Sequence, residues 1–160
     1  METATLYHLA LVVHIVALTM IAGTTLVDYV IFKQFWKQLA VDGRNGLAIN
    51  QATSKFPILF GLGFILIIIS GVYMMYVTHG AFGEQTWFRI KFGLVIIILI
   101  NGLVVGRSQG SKLTKFLSGE LPDKNMEDEL LKIRRNLSMF HTSQLALFLV
   151  IFILSVFKFN

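Results

Sequence analysis

The chain has 160 residues, of which 55% are hydrophobic and only 14% are charged, and its formal net charge is +5. A soluble domain carries roughly 25% charged residues, so this composition indicates a protein that lies largely in lipid. The sequence contains no cysteine, which excludes disulfides, thiolate metal sites, iron–sulfur clusters and covalently attached haem. The basic excess is explained by membrane orientation, and no nucleic-acid partner is expected.

Four long apolar stretches predict four transmembrane α-helices. In chain order they cover about 5–32, 57–78, 87–106 and 138–157. Each supplies the ~20 apolar residues that ~30 Å of hydrocarbon requires. The runs are continuous, whereas the strands of a membrane β-barrel would alternate. The predicted fold is therefore an all-α, four-helix integral membrane bundle, built as one domain over 1–160.

The last helix is predicted to begin before its apolar span. No Pro or Gly occurs between Met126 and Asn160, and the first part of that stretch, about 126–137, is amphipathic. One long helix is therefore expected, with its amphipathic first part extended into the cytoplasm.

Basic residues predict the orientation. Eleven of the 14 lie in the two connections 33–56 and 107–137, namely Lys33, Lys37, Arg44, Lys55, Arg107, Lys112, Lys115, Lys124, Lys132, Arg134 and Arg135. The positive-inside rule places both connections in the cytoplasm. The chain is thus predicted to be a multi-pass protein of the cell (inner) membrane, with its N-terminus and C-terminus outside.

Ionisable residues inside the spans are the candidate functional residues, because a charge in hydrocarbon is costly and usually faces the bundle interior. His14 and Asp28 fall on one stripe of the first span, since each residue turns a helix by 100°. At ~1.5 Å per residue, His14 and Lys91 lie about 27 and 24 Å from the cytoplasmic ends of their spans. Asp28 and His141 lie only about 6 and 4 Å from those ends.

The outer cluster is suited to a non-covalent b-type haem, whose axial ligands must come from facing helices at similar depth. His14 is one expected iron ligand, and the trans ligand is Lys91, His79 or His8. Trp87 lies one turn before Lys91 and lines the same site. The remaining candidate is Arg89, which would neutralise a haem propionate. The alternative for each histidine is a structural hydrogen bond or an ordinary interfacial position.

The inner cluster pairs Asp28 with His141. Their matched depth predicts an interaction near the cytoplasmic face, either as a proton-uptake site or as a structural pair.

With these residues identified, a family resemblance emerges. The stretch from His14 to Gly23 resembles the first span of the superfamily that includes the membrane protoporphyrinogen oxidases and the membrane domain of copper-resistance protein D. Trp87 followed by Lys91 and then Leu94-Val95 resembles the third-span pattern of the oxidases. The resemblance implies a small four-helix membrane cytochrome b in which His14 binds haem b and Lys91 belongs to the same site.

The sequence therefore predicts a haem b protein that transfers electrons in the membrane, with a quinone or another redox partner, as a possible membrane oxidoreductase. The alternatives are an enzyme resembling protoporphyrinogen IX oxidase, a protein that handles copper or a second metal ion through the outer histidines with Met74 and Met75, and a structural membrane subunit. Glycines in the spans allow close helix contacts within the bundle or in a homodimer.

Overall fold

The computed structural model describes residues 2–40, 43–119 and 126–157, and these are helical apart from short turns. The helical elements, in chain order, are α1 (Glu2–Leu39), α2 (Gly43–Thr53), α3 (Phe56–Val77), α4 (Thr86–Asn101), a π-helical segment (Gly102–Gly106), α5 (Arg107–Leu117) and α6 (Met126–Phe157).

Four helical stretches are long and apolar enough to cross a membrane. They are Ala4–Leu39, Ala48–Val77, Thr86–Leu117 and Glu127–Phe157. The outer surface of the bundle is apolar, with Ile58 and Val156 as much as 72% and 75% exposed. Such a surface is stable where the surrounding solvent is lipid. The predicted all-α membrane fold with four spanning helices is confirmed, and the side that each end faces stays a prediction.

The helices extend beyond the predicted spans. The first helix continues to Leu39 rather than ending near Phe32, and the third predicted span continues through the π segment and α5 to Leu117. An apolar run reflects the thickness of the hydrocarbon, whereas a helix satisfies its backbone groups internally and continues into polar sequence. The predicted spans are therefore the apolar parts of longer helices.

The bundle consists of two antiparallel helix pairs. α1 packs along α3, α4 packs along α6, and contact between α1 and α6 joins the pairs. Their central core contains Ala17, Ile21, Phe64, Ile67, Ile98, Phe148 and Ile151. A Cβ added to Gly63 would lie 2.8 Å from the Ile21 side chain and 3.3 Å from the Ala17 carbonyl oxygen. Glycine at 63 therefore sets the close approach of α1 and α3.

A second core lies where α5 and the first part of α6 meet the last turns of α1. It contains Phe35, Trp36, Leu113, Ile133 and Leu137. α6 is unbroken from Met126 to Phe157, as the absence of Pro and Gly predicts. Its amphipathic first part packs against α1 and α5 through Ile133 and Leu137, so it does not project from the bundle alone.

Candidate functional site

The antiparallel packing places the polar residues of the spans at two levels. We call the end of the bundle that carries residues 78–85 the turn end, and the opposite end, where α5 ends and α6 begins, the connection end. The His14 site, nearer the turn end, comprises His14, Ser70 and Lys91. The Asp28 site, nearer the connection end, comprises Asp28, His141 and the aromatic rings around them.

His14 is held by α3 through a hydrogen bond. Its Nδ1 lies 2.9 Å from the hydroxyl oxygen of Ser70. The ring also lies against the backbone at Gly71, where an added Cβ would be 3.5 Å from its Cε1. The half-buried imidazole is thus fixed both in orientation and in distance from α3.

The geometry around Ser70 indicates which ring nitrogen of His14 carries the proton. The Ser70 hydroxyl donates to the Leu66 carbonyl at 2.7 Å and has the Ile67 carbonyl at 3.1 Å. A serine has one hydroxyl proton, so toward His14 its oxygen acts as the acceptor. We therefore assign the proton of the neutral ring to Nδ1, which leaves the lone pair of Nε2 available to a donor or a metal.

Lys91 on α4 belongs to the same site. Its ammonium group lies within electrostatic range of His14. One turn nearer the turn end, Trp87 is buried, packs against Phe82 and Phe88, and donates from Nε1 to the Gln85 side chain. Trp87 therefore lies buried on the turn-end side of Lys91.

Other predicted members of this site lie elsewhere. His8 is exposed and six residues from His14, or about 9 Å along α1. His79 follows the end of α3, is exposed, and lies at least about 9 Å beyond Gly71 by the same rise per residue. Arg89 donates to the Gly83 carbonyl at 2.9 Å and pairs with Glu84 at 3.5 Å. The structure thus leaves these residues near the turn end, displaced from His14.

The Asp28 site joins α1 to α6. Asp28 Oδ2 lies 3.8 Å from His141 Nδ1, which is too long for a direct hydrogen bond. The His141 side chain is 5% exposed and that of Asp28 is 38% exposed. Nδ1 of His141 has no hydrogen-bond partner among the described residues. One member of the pair is therefore enclosed, while the other reaches the surface of the bundle.

Aromatic rings surround the imidazole of His141. The ring centroids of Phe32, Phe140 and Tyr29 lie 4.8, 5.1 and 6.3 Å from it. Phe140 in turn lies against Gly106, where an added Cβ would be 2.8 Å from the tip of its ring. The π segment thus ends on a glycine that makes room for the wall of the Asp28 site.

Gln144 links α6 to the last turn of α4. It is 1% exposed, and its Nε2 donates to the Ile98 carbonyl at 3.2 Å. Its Oε1 has no partner among the described residues. One turn from His141 on α6, this amide continues a polar strip along an otherwise apolar interface.

Ser70 and the aromatic rings around His141 were not predicted from the sequence. Ser70-Gly71 is the small, polar interruption of an otherwise apolar stretch in α3, and such residues commonly face a neighbouring helix in membranes. Phe32 follows Asp28 by four residues, so the two side chains are neighbours on the surface of α1. Both signals are present in the sequence but weak in a chain so rich in apolar residues.

Comparison with known proteins gives the family. The profile of one family, described as "Predicted integral membrane protein (DUF2269)", matches residues 8–159. The chain belongs to the DUF2269 family. No curated protein matches it, and no solved structure matches it.

The DUF2269 description agrees with the four spanning helices. It gives a membrane location and no biochemical activity.

Proposed function

We propose that this DUF2269 protein binds a b-type haem at the His14 site and transfers electrons within the membrane. One observation carries the proposal, namely the hydrogen-bond chain from His14 through Ser70 to the Leu66 carbonyl. A histidine that ligates a metal usually donates its other ring N–H to a fixed acceptor, which sets the tautomer and the ring orientation. The Ser70 hydroxyl supplies such an acceptor.

The residues at the site have the chemistry that a haem requires. Neutral imidazole is the usual iron ligand, and Nε2 of His14 retains its lone pair when Nδ1 donates to Ser70. The ring lies against Gly71, and the bundle around it is apolar. A bound haem iron would supply one-electron redox chemistry, while the chain binds it, orients it and excludes water.

Lys91 is the proposed partner of His14 in this site. It acts electrostatically on His14, whereas His8 and His79 are exposed and displaced along their helices. An amine binds a metal only after losing its proton, so Lys91 would bind the iron in its neutral form. We therefore place Lys91 ahead of His79 and His8 as the second residue that would bind the haem iron.

The experiment is an absorption spectrum of the full chain purified in lipid nanodiscs after expression with a haem precursor. The expected result is a Soret band with sharp reduced α and β bands. His14→Ala should abolish haem binding or convert it to a high-spin form. Lys91→Met should lose the low-spin spectrum, whereas His79→Ala and His8→Ala should retain it.

Other outcomes identify the rival functions. A normal spectrum in His14→Ala would contradict the proposed site. A colourless protein that retains stoichiometric copper would favour the metal-handling alternative. Met75, one of the residues predicted for that alternative, packs near Gly83 at the turn end. Rescue of a strain lacking its own protoporphyrinogen oxidase would favour the enzyme.

The finer features of the proposal follow from the sequence. Both termini lie outside, the connection end faces the cytoplasm, and a lipid-soluble quinone is the proposed redox partner. Gly61 and Gly93 face open space, where an added Cβ would meet nothing within 4 Å. In the proposed homodimer these two glycines allow a helix of the second copy to approach closely.

A further inference from the structure

The Asp28 site has a feature that the proposed haem site does not use. His141 Nδ1 is buried without a hydrogen-bond partner among the described residues, and a carboxylate oxygen lies 3.8 Å from it. A buried polar atom is normally satisfied, so an unpaired one next to a carboxylate calls for an explanation. A small rotation of either side chain would bring donor and acceptor into hydrogen-bond range.

We propose that Asp28 and His141 together hold one exchangeable proton at the connection end of the bundle. Two arrangements of the pair have no net charge: a protonated Asp28 beside neutral His141, and an ionised Asp28 beside protonated His141. Both contain one proton. Adding or removing a proton leaves a net charge among aromatic rings in the membrane, which is costly.

The helices around the pair, α1, α5 and α6, all carry basic residues, and Arg134 on α6 is seven residues from His141, or about 10 Å. On α1, Tyr29 is the nearest titratable neighbour, and the Lys33 ammonium lies 4.4 Å from the centre of its ring. On the helix that follows Gly106, Arg107 is exposed. On α6, the acids of the first turn are at least twelve residues from His141, or about 18 Å. The pair therefore exchanges its proton without a neighbouring acid in direct contact.

Exposure distinguishes the two members of the pair. The Asp28 side chain is 38% exposed and that of His141 is 5% exposed. In this proposal the proton enters through Asp28, which is the less enclosed group, and His141 is the buried partner that shares it. The chemical ligand of this site is the proton itself, taken up from the side that the connections face.

The site is independent of the proposed haem. Asp28 lies fourteen residues from His14 on the same helix, which corresponds to about 21 Å. Loss of haem binding in a His14 variant would leave the Asp28 site intact, and loss of the proton site would leave the haem spectrum intact. The two proposals therefore fail separately.

The test measures proton uptake by the full chain in nanodiscs during a pH titration, together with the infrared carboxyl C=O stretch. Wild type should show a protonated-carboxyl band that disappears as the pH rises, and Asp28→Asn should lose this band and take up one proton fewer. Glu84→Gln is the matched control, because Glu84 is a fully hydrated carboxylate, 93% exposed, at the opposite end. That control should keep the wild-type band.

Two further variants keep the proposal falsifiable. Asp28→Glu retains a carboxyl group and should retain the uptake, even if Asp28→Asn is poorly folded. His141→Gln removes the partner and should shift the carboxyl band. Equal proton uptake by wild type and Asp28→Asn would overturn the proposal, as would a carboxyl band that is unchanged in His141→Gln.

Discussion

The two intramembrane histidines that face a neighbouring helix differ in how they are held. His14 is half-buried, yet its Nδ1 has an acceptor at 2.9 Å that is itself tied to the backbone. His141 is more deeply buried, at 4% exposure, yet its Nδ1 has no hydrogen bond among the described residues. Depth of burial therefore does not distinguish their roles, whereas hydrogen bonding does.

This difference separates two kinds of chemistry. A ring fixed by one nitrogen presents the other in a constant direction, as a metal ligand requires. A ring that lies close to a carboxylate without a hydrogen bond to it can exchange a proton with that carboxylate after only a small movement. The His14 site is therefore suited to holding a group in place, and the Asp28 site is suited to exchange.

The largest effect is expected for Gly63→Ala, which tests whether α1 and α3 must approach closely near His14. Gly63→Ala should lower the free energy of unfolding by about 1–3 kcal/mol, because the new methyl group overlaps the buried Ile21 side chain and the Ala17 carbonyl. The measurement is a denaturant titration of the protein in mixed micelles.

Gly61→Ala is the matched control on the same helix, where an added Cβ meets nothing within 4 Å. Both substitutions change helix propensity equally, so the difference between their unfolding free energies isolates the contact at Gly63.

At the Asp28 site, the methyl group of Gly106→Ala meets only the tip of the Phe140 ring, which is partly exposed and can move. Its loss should be smaller than that of Gly63→Ala, and the reverse order would contradict the description of the two interfaces.

The next effect tests the orientation of His14. Ser70→Ala removes the acceptor of Nδ1 and should weaken haem binding about 10–100-fold, the usual consequence of losing a residue that orients a metal ligand. Titration of the protein with haem, followed by absorbance, measures the change. Proton uptake at the Asp28 site should stay at its wild-type value.

Ser155→Ala is the control for that substitution. Ser155 makes the same kind of bond to its own helix, donating to the Ile151 carbonyl at 2.7 Å, but no bond to another helix is described for it. It should leave haem affinity unchanged. Equal losses in Ser70→Ala and Ser155→Ala would show that removing a serine back-bond, and not the orientation of His14, causes the effect.

The levels of the polar residues were predictable from the sequence because a helix rises by a fixed amount per residue. Counting from the ends of the spans gave Asp28 and His141 similar depths, and the structure places their side chains 3.8 Å apart. The same count gave His14 and Lys91 similar depths, and Lys91 lies within electrostatic range of His14. Depth is thus readable from an apolar sequence once the spans are known.

Lateral position was not predictable in the same way. Nothing in the count of residues selects Ser70 as the partner of His14, because that depends on how α1 and α3 rotate against each other. The π segment at Gly102–Gly106 changes the helix rotation after Ile98, and two glycines are its main sequence signal. The helix ends were also missed, since Leu39 and Leu117 lie in polar sequence beyond the apolar runs.

The most direct test of the contrast between the two sites is nitrogen NMR of the 15N-histidine-labelled protein in lipid bilayers across a range of pH. His14→Ala and His141→Gln spectra assign the two signals. We predict that neutral His14 carries its proton on Nδ1 at every pH measured. We also predict that the His141 signal changes with pH in wild type and that this pH dependence is altered in Asp28→Asn. A His14 ring with its proton on Nε2, or a His141 signal that is unaffected by both pH and Asp28→Asn, would contradict it.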